Sequence, residues 1–473
     1  MNYNQLFSSF QGQQIAVALI GAGQFGETFV RQCRRVSGMQ IRLVCDLQPE
    51  RASAALLAAG YDKSAFVLTG SKEQAAIAFD HGQIIITSDY LLIEGLDLDC
   101  VVEATGSPEA AAQVGYITLM SGFHLAMVTK EADIVVGPYL NKLAKAAGRH
   151  ITPAHGDQPS LLIALLSWAD TLGMNVIGAG KSSEYDFVFD FDEKQVSWRG
   201  RTEQVQDLSD IWELSGSVEA TVHRREAALS AFPKRTVPDL CEMGIVSNHT
   251  GLMPAKAVFH APHARVTELC DIFAPQEAGG VLNSTPFIDV FNCMRRRDEQ
   301  SFGGGVFIIV DTEQDNSWEI LREKGISVSQ DGKRALLYNP SHLLGLEAAI
   351  SVMSTVWLDK PTGNRDIRHL VDLHARASRD WLAGELLAIT DHHHHEIDGL
   401  SAELNPAAHA SKNGPLPYYM AADNRLRVDV KKGQLITTDM VIPPEMSTLW
   451  TLRREMEAYD TDDVPSQQSG DLK

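Results

Sequence analysis

The chain has 473 residues, 41 Lys plus Arg against 61 Asp plus Glu (formal charge −20), and 44% hydrophobic residues. This is ordinary globular composition, long enough for about three domains. Acid spread over the whole chain repels phosphate backbones, so nucleic acid is excluded as a partner. No apolar run approaches the roughly 18 residues that would span a bilayer, so no membrane association is expected.

The N-terminus, MNYNQLFSSFQGQQ, has no basic region followed by an apolar stretch, so it does not read as a signal peptide. Next, QIAVALI (14–20) is a short Ile/Val-rich run ending in glycine, which predicts a buried parallel strand. GAGQFGETFVRQCRRV predicts a turn and a helix, IRLVCD (41–46) a second strand, and PERASAALLAAG a helix closed by Gly60. GQIIITSD, DCVVEAT and HLAMVT supply further strands, with PEAAAQVGYITLMSG as an intervening helix. Strand and helix alternate to about residue 150, which predicts a doubly wound α/β Rossmann domain over 1–150.

From 151 to 380 the pattern is that of an α+β catalytic domain. It has a helix at SLLIALLSWADTL, a strand at NVIGAGK, helix over 239–253, a glycine-led strand GGGVFIIVD and a long amphipathic helix over 341–357, whose packing could return to the Rossmann domain. Residues 184–220, polar and weakly periodic, read as an excursion over the surface. A small β-rich domain is expected over 381–458 and a disordered tail over 459–473. The cysteines, Cys33, Cys45, Cys100, Cys241, Cys270 and Cys293, form no CxxC pair and read as buried thiols of a reducing, cytoplasmic setting.

Gly21, Gly23 and Gly26 form G-x-G-x-x-G between a strand and a helix, with Asp46 at the end of the next strand. In that context the pattern is a dinucleotide fingerprint. The first glycine makes a tight turn and the second lets the backbone approach a pyrophosphate. The third lets helix pack on strand, and the acidic residue binds a ribose hydroxyl. Gln24 and Phe25 complete the turn, and Thr105-Gly106-Ser107 at the end of DCVVEA would line the same crevice, with Ser107 also able to cap a helix. Asp46 favours NAD, while Arg51, five residues on, could accept the 2′-phosphate of NADP; both cofactors stay open.

VVEATGSPEAA…GFHLAMVTKEADIVVGPYLNKLAKAAG resembles the homoserine dehydrogenase group of nucleotide-binding domains, in which a strand ending in a lysine (here Lys130) follows the crevice. Beyond residue 150, PAHGDQPS, VIGAGKSSEYDF, CEMGIVSNHTGL, GGGVFIIVD and YNPSHLLGLEAA resemble the 1-deoxy-D-xylulose 5-phosphate reductoisomerase-like enzymes. VKKGQLITTDMV is similar to the signature of a C-terminal SAF-like domain. Asn339-Pro340-Ser341 departs from the expected Arg or aromatic before His342. The resemblance implies an NADPH-dependent oxidoreductase of the isoprenoid precursor pathway. It would rearrange and reduce a ketose phosphate to 2-C-methyl-D-erythritol 4-phosphate with Mg or Mn, as a homodimer acting on a phosphorylated sugar.

The candidate catalytic residues are Lys130, Asp157, Lys181, Glu242, Asn248 and His342, with Asp157 and Glu242 as candidate metal ligands. Lys181 follows Gly178-Ala179-Gly180, small residues that would let substrate approach. Glu242 and Asn248 lie in an apolar helical stretch where a polar group needs a partner. Asp157 and His342 each precede a helix and are equally readable as caps, and Glu184 and Asp186 rank below them. His392–His395 read as an incidental tract. Two other functions fit the same residues: a simple dehydrogenase of a hydroxy acid, polyol or semialdehyde, and a nucleotide-sensing binding protein without catalysis.

Overall fold

A computed structural model describes residues 2–313, 315–390, 395–410 and 413–462. The chain is α/β, with a seven-stranded parallel Rossmann sheet and a separate eight-stranded mixed sheet. Among the described residues no helix is long and apolar enough to cross a membrane.

The first sheet runs, edge to edge, Phe66–Leu68, Ile84–Thr87, Met39–Cys45, Ile15–Ile20, Cys100–Glu103, His124–Met127 and Ile151–Pro153. Its central strands are buried on both faces, as their near-continuous Val, Ile and Leu require. Strand order reverses between Ile15–Ile20 and Cys100–Glu103. That is the switch point of a doubly wound sheet, where ligands bind beyond the carboxyl ends. The strand Phe66–Leu68 and the helix Lys72–Asp80 had no sequence expectation; the strand is short and only partly buried.

The second sheet runs Arg201–Gln204, Gln195–Trp198, Phe187–Asp190, Phe287–Arg296, Val176–Ser182, Val306–Asp311 and Arg334–Asn339, with His263–Ala264 beside Phe287–Arg296. Three of its strands lie in 184–220, the segment expected as a surface excursion. Their buried side chains, Phe187, Phe189 and Val196, alternate with polar ones too sparsely for a clear period. One face of this sheet carries Ala179, Ile288, Val290 and Ile308 against helices Gln158–Thr171 and Val237–Thr250. The other carries a phenylalanine cluster of Phe273, Phe287, Phe291 and Phe307.

The helix expected over 341–357 begins only at Ala348. Before it, Leu344 takes a left-handed φ of 48° and Gly345 sits under Phe25, where a Cβ would come within 2.8 Å of the Phe25 carbonyl. A helix cannot run through that contact. From there Ala348–Leu358 crosses back and buries Ala348, Ala349 and Val352 in the Rossmann core with Phe29 and Val30. Farther on, Val371–Ala377 pairs antiparallel with Leu400–Pro406. The C-terminal helix Thr448–Asp462 packs on helices Lys130–Ala146 and Pro108–Met120. Tyr459, expected in a disordered tail, lies in that helix; 463–473 and His392–His394 are outside the described residues.

Candidate active site

The crevice is built first by glycines. Gly21 has φ 104°, and a Cβ there would stand 2.2 Å from the Ala104 carbonyl oxygen; a Cβ on Gly26 would stand 2.1 Å from that of Gly21. Both positions are closed by the protein itself. Gly23 differs, since a Cβ there meets nothing within 4 Å. Its exposed backbone, at the N-cap of helix Gln24–Arg35, is therefore free for a pyrophosphate and the helix N-terminus favours the anion. Asp46 is half-buried and accepts from Ala22 N (2.8 Å) and Gln48 N (2.9 Å), which fixes its carboxylate beside the turn. A nicotinamide dinucleotide fits this donor set. Gly23→Val is expected to fold normally yet lose dinucleotide binding, whereas Gly26→Ala loses stability. Cofactor fluorescence titration beside thermal melting separates the two, and undiminished binding by Gly23→Val would refute the assignment.

Opposite this turn, Glu103 is fully buried at the end of its strand. It accepts from Thr105 N and Oγ1 (both 2.7 Å) and from Thr129 Oγ1 (2.9 Å), while Gly106 N donates to Thr129 Oγ1 (2.9 Å). Thr105–Ser107 is thus tied to Thr129, the residue before helix Lys130–Ala146, and Ser107 Oγ accepts from Ala110 N as the N-cap of Pro108–Met120. Lys130 does not end a strand: the strand stops at Met127 and Lys130 is the first residue of Lys130–Ala146.

From there Lys130 Nζ reaches Glu242 Oε1 (2.5 Å) and Asp157 (3.3 Å). Glu242 Oε2 is also paired with Lys181, whose ammonium meets Asp239 Oδ1 at 3.0 Å. Lys181, Glu242 and Asp239 are almost fully buried, while a quarter of the Lys130 side chain stays exposed. Burial alone would raise the Glu242 pKa, but Lys130 and Lys181 outweigh it and hold the carboxyl down at about 2. Burial likewise opposes the charge on both lysines, and the facing carboxylates outweigh it, so both pKa values rise. The lysines are fixed cations here, unable to act as bases near neutral pH.

Four of the six expected catalytic residues therefore meet: Lys130, Asp157, Lys181 and Glu242. Asp157 is also the N-cap of Gln158–Thr171, its Oδ1 accepting from Gln158 N at 2.9 Å. Asn248 does not join them. Its Oδ1 accepts from Leu370 N (2.9 Å) and Val371 N (3.1 Å), anchoring the next strand. His342 does not join them either: its Nδ1 lies 3.0 Å from the Gly304 carbonyl, and it caps no helix. Asp186 is taken by Arg295 (2.6 Å). Nor do Gly178 and Gly180 admit substrate. Their missing Cβ atoms make room for the rings of Phe287 and Phe307. Asp157 and Glu242, expected as metal ligands, are bridged by the Lys130 ammonium instead, and among the described residues no three His, Cys, Asp or Glu side chains gather around a common point.

Two acids escaped the sequence reading. Asp239 closes a capping box with Thr236, which hides its second role toward Lys181. Asp133, one turn beyond Lys130, is buried near Glu103; burial and that neighbour push its pKa up to about 7. A raised carboxyl pKa disfavours the charged form, so this group's contribution to stability is present below pH 3.8 and is lost as pH rises through about 7. Asp133→Asn should thus gain roughly 1–3 kcal/mol over the native protein at pH 8 but not at pH 4, as read by urea titration at the two pH values.

Residues 156–348 match the family model described as "Oxidoreductase DRL, catalytic domain". The chain is an NAD(P)-dependent oxidoreductase. This match overturns the expected membership of the 1-deoxy-D-xylulose 5-phosphate reductoisomerase-like family and, with it, the isoprenoid assignment. The SAF-like reading of the C-terminal region finds no support either. No curated protein matches the chain.

Among solved structures, the oxidoreductase is similar to an oxidoreductase of Klebsiella pneumoniae (16% identity, TM-score 0.32, covering 73% of this chain and 86% of that one). It is also similar to a dehydrogenase of Thermotoga maritima (14%, 0.33, 73% and 90%). A third is the myo-inositol dehydrogenase of Lactobacillus casei in complex with NAD(H) and myo-inositol (16%, 0.27, 36% and 47%). The chain thus spans about half the length of that last relative.

Proposed function

We propose that this oxidoreductase is a dehydrogenase of a small hydroxylated substrate, a hydroxy acid, polyol or semialdehyde, and that Lys130 holds the reacting oxygen. One observation carries the reading. The Lys130 ammonium, partly exposed, stands at the carboxyl edge of the Rossmann sheet and is held there by Asp157 and Glu242. A bound nicotinamide dinucleotide would supply the hydride. Lys130 would donate a hydrogen bond to the substrate carbonyl and stabilise the negative charge that grows on its oxygen during reduction. Glu242 keeps Lys130 protonated and aimed, and Lys181, itself paired with Asp239, helps keep Glu242 ionised in a buried setting. Arg51, exposed on helix Pro49–Ala58 beyond Asp46, supports acceptance of NADPH as well as NADH.

The test is a screen of hydroxy acids, polyols and semialdehydes with either cofactor, in the presence of a chelator. Lys130→Met is expected to bind cofactor unchanged and lose about 10²–10³ in kcat on any substrate found. Equal turnover by Lys130→Met would overturn the role given to Lys130, and turnover seen only when the chelator is left out would show that a metal ion, and not Lys130 alone, holds the reacting oxygen.

A further inference from the structure

The second sheet has another face. Successive strand residues point to opposite sides, and Lys181 is level with Val290 whereas Gly180 is level with Asp289. Asp289 therefore points away from the hydride-transfer site, toward the phenylalanine cluster. Fully buried there, it accepts from His260 N (3.0 Å) and Ala261 N (3.1 Å), and its Oδ2 lies 2.7 Å from His260 Nδ1. The residues on either side of His260, Phe259 and Ala261, hold left-handed φ values of 55° and 46°. Side-chain-bearing residues keep that backbone only where their surroundings impose it. The ring is fixed, with Nδ1–H donating to Asp289. No described protein atom bonds to its Nε2.

His260 is 92% buried and lines a cleft of about 720 Å³ whose other walls include Arg235, Lys256, Lys234 and His223. Lys234 is spent on Glu226 at 2.7 Å. Arg235 is half-buried and Lys256 exposed, and neither side chain makes an ion pair or hydrogen bond among the described residues, although the charges of Glu226 and Asp289 act on Arg235 and Glu219 and Glu226 share the cleft wall. A half-buried guanidinium without a hydrogen bond, beside a buried imidazole nitrogen without one, in a chain of charge −20, leaves two polar groups for a ligand to satisfy.

We propose that this cleft binds a small hydroxylated anion, with its phosphate or carboxylate between Arg235 and Lys256 and a hydroxyl donating to His260 Nε2. Asp289 lies on the sheet face opposite Lys181, so in this proposal the occupant of the cleft is bound apart from the substrate of hydride transfer.

Isothermal titration of the full-length protein with glycerol 3-phosphate, malate, glycerol and sodium chloride tests this. At least one of the two anions should bind, and which one binds distinguishes phosphate from carboxylate. Affinity should fall at least tenfold in Arg235→Gln/Lys256→Gln and in His260→Gln, and stay unchanged in Lys130→Met. Heat no greater than the glycerol and salt controls at millimolar concentration would overturn the proposal. So would binding lost in Lys130→Met yet kept in Arg235→Gln/Lys256→Gln, since that places the anion at the redox site. His260→Gln could unfold the strained loop; the Arg235 and Lys256 changes touch only side chains at the wall and decide the matter without it.

Discussion

Glu242→Gln is expected to lower the unfolding free energy by about 3 kcal/mol and to shift the urea midpoint to match. Glu242 and Lys181 are buried almost completely, and removing one charge leaves the other in a medium that cannot solvate it. The loss stays at the lower end for such pairs because Lys181 retains Asp239 and Lys130 retains Asp157. The pH dependence has a definite sign. Glu242 is held at about 2 against an ordinary 4.5, so its contribution is complete above pH 4.5 and disappears as pH falls toward 2. The variant should lack that acid-side loss. Equal urea midpoints at pH 7, or equal acid sensitivity, would show that the pair does not carry this energy. Glu242→Leu combined with Lys181→Met should recover part of the stability while leaving the enzyme inactive, because a repacked apolar pair needs no solvation.

Arg453→Met is the second change with a large expected effect, a loss of about 3–5 kcal/mol. Arg453 is fully buried in the C-terminal helix, and its guanidinium is satisfied on every side. Nη1 and Nη2 donate to the two oxygens of Asp372 (2.6 and 2.8 Å), Nε donates to Glu457 (2.6 Å), and the remaining protons go to the carbonyls of Val135 and Ala408. Without it Asp372, which is just as buried, faces His369, His374 and a backbone N–H among the described residues, and the helix loses its link to Val371–Ala377. Urea unfolding and hydrogen exchange of Thr448–Asp462 measure the effect. Adding Asp372→Leu should restore much of the loss; if Arg453→Met alone melts like the native chain, the helix is held by its apolar face and not by this ion pair.

The Rossmann half was legible because its signals are local. An Ile/Val run, a glycine turn of fixed spacing and an acid one strand later lie within 33 residues of sequence from Gln14 to Asp46. The meeting of Lys130, Asp157, Lys181 and Glu242 was readable only as a set of residues in odd surroundings, since it joins one helix start, one cap, one strand and one helix interior. Where the reading failed, a residue was already satisfied in a way sequence does not display. Asn248 serves two backbone N–H groups from 122 and 123 residues away, and Asp239 looks like an ordinary cap. Glycines 178 and 180 looked like room for a ligand and are room for two rings. Family resemblance misled further, because domain order can be shared by enzymes whose chemistry differs.

The helix Ala348–Leu358 is a lodger in a core assembled three hundred residues earlier in the chain. A fragment cut after the last Rossmann strand would expose Phe29, Val30 and their neighbours where Ala348, Ala349 and Val352 belong, and so would be expected to aggregate. Dissection of this protein into halves must therefore carry that helix with the front half, for instance by a circular permutation. For the same reason, a protease nick between Asn339 and Gly345 would not release the two halves from each other as long as the helix stays seated.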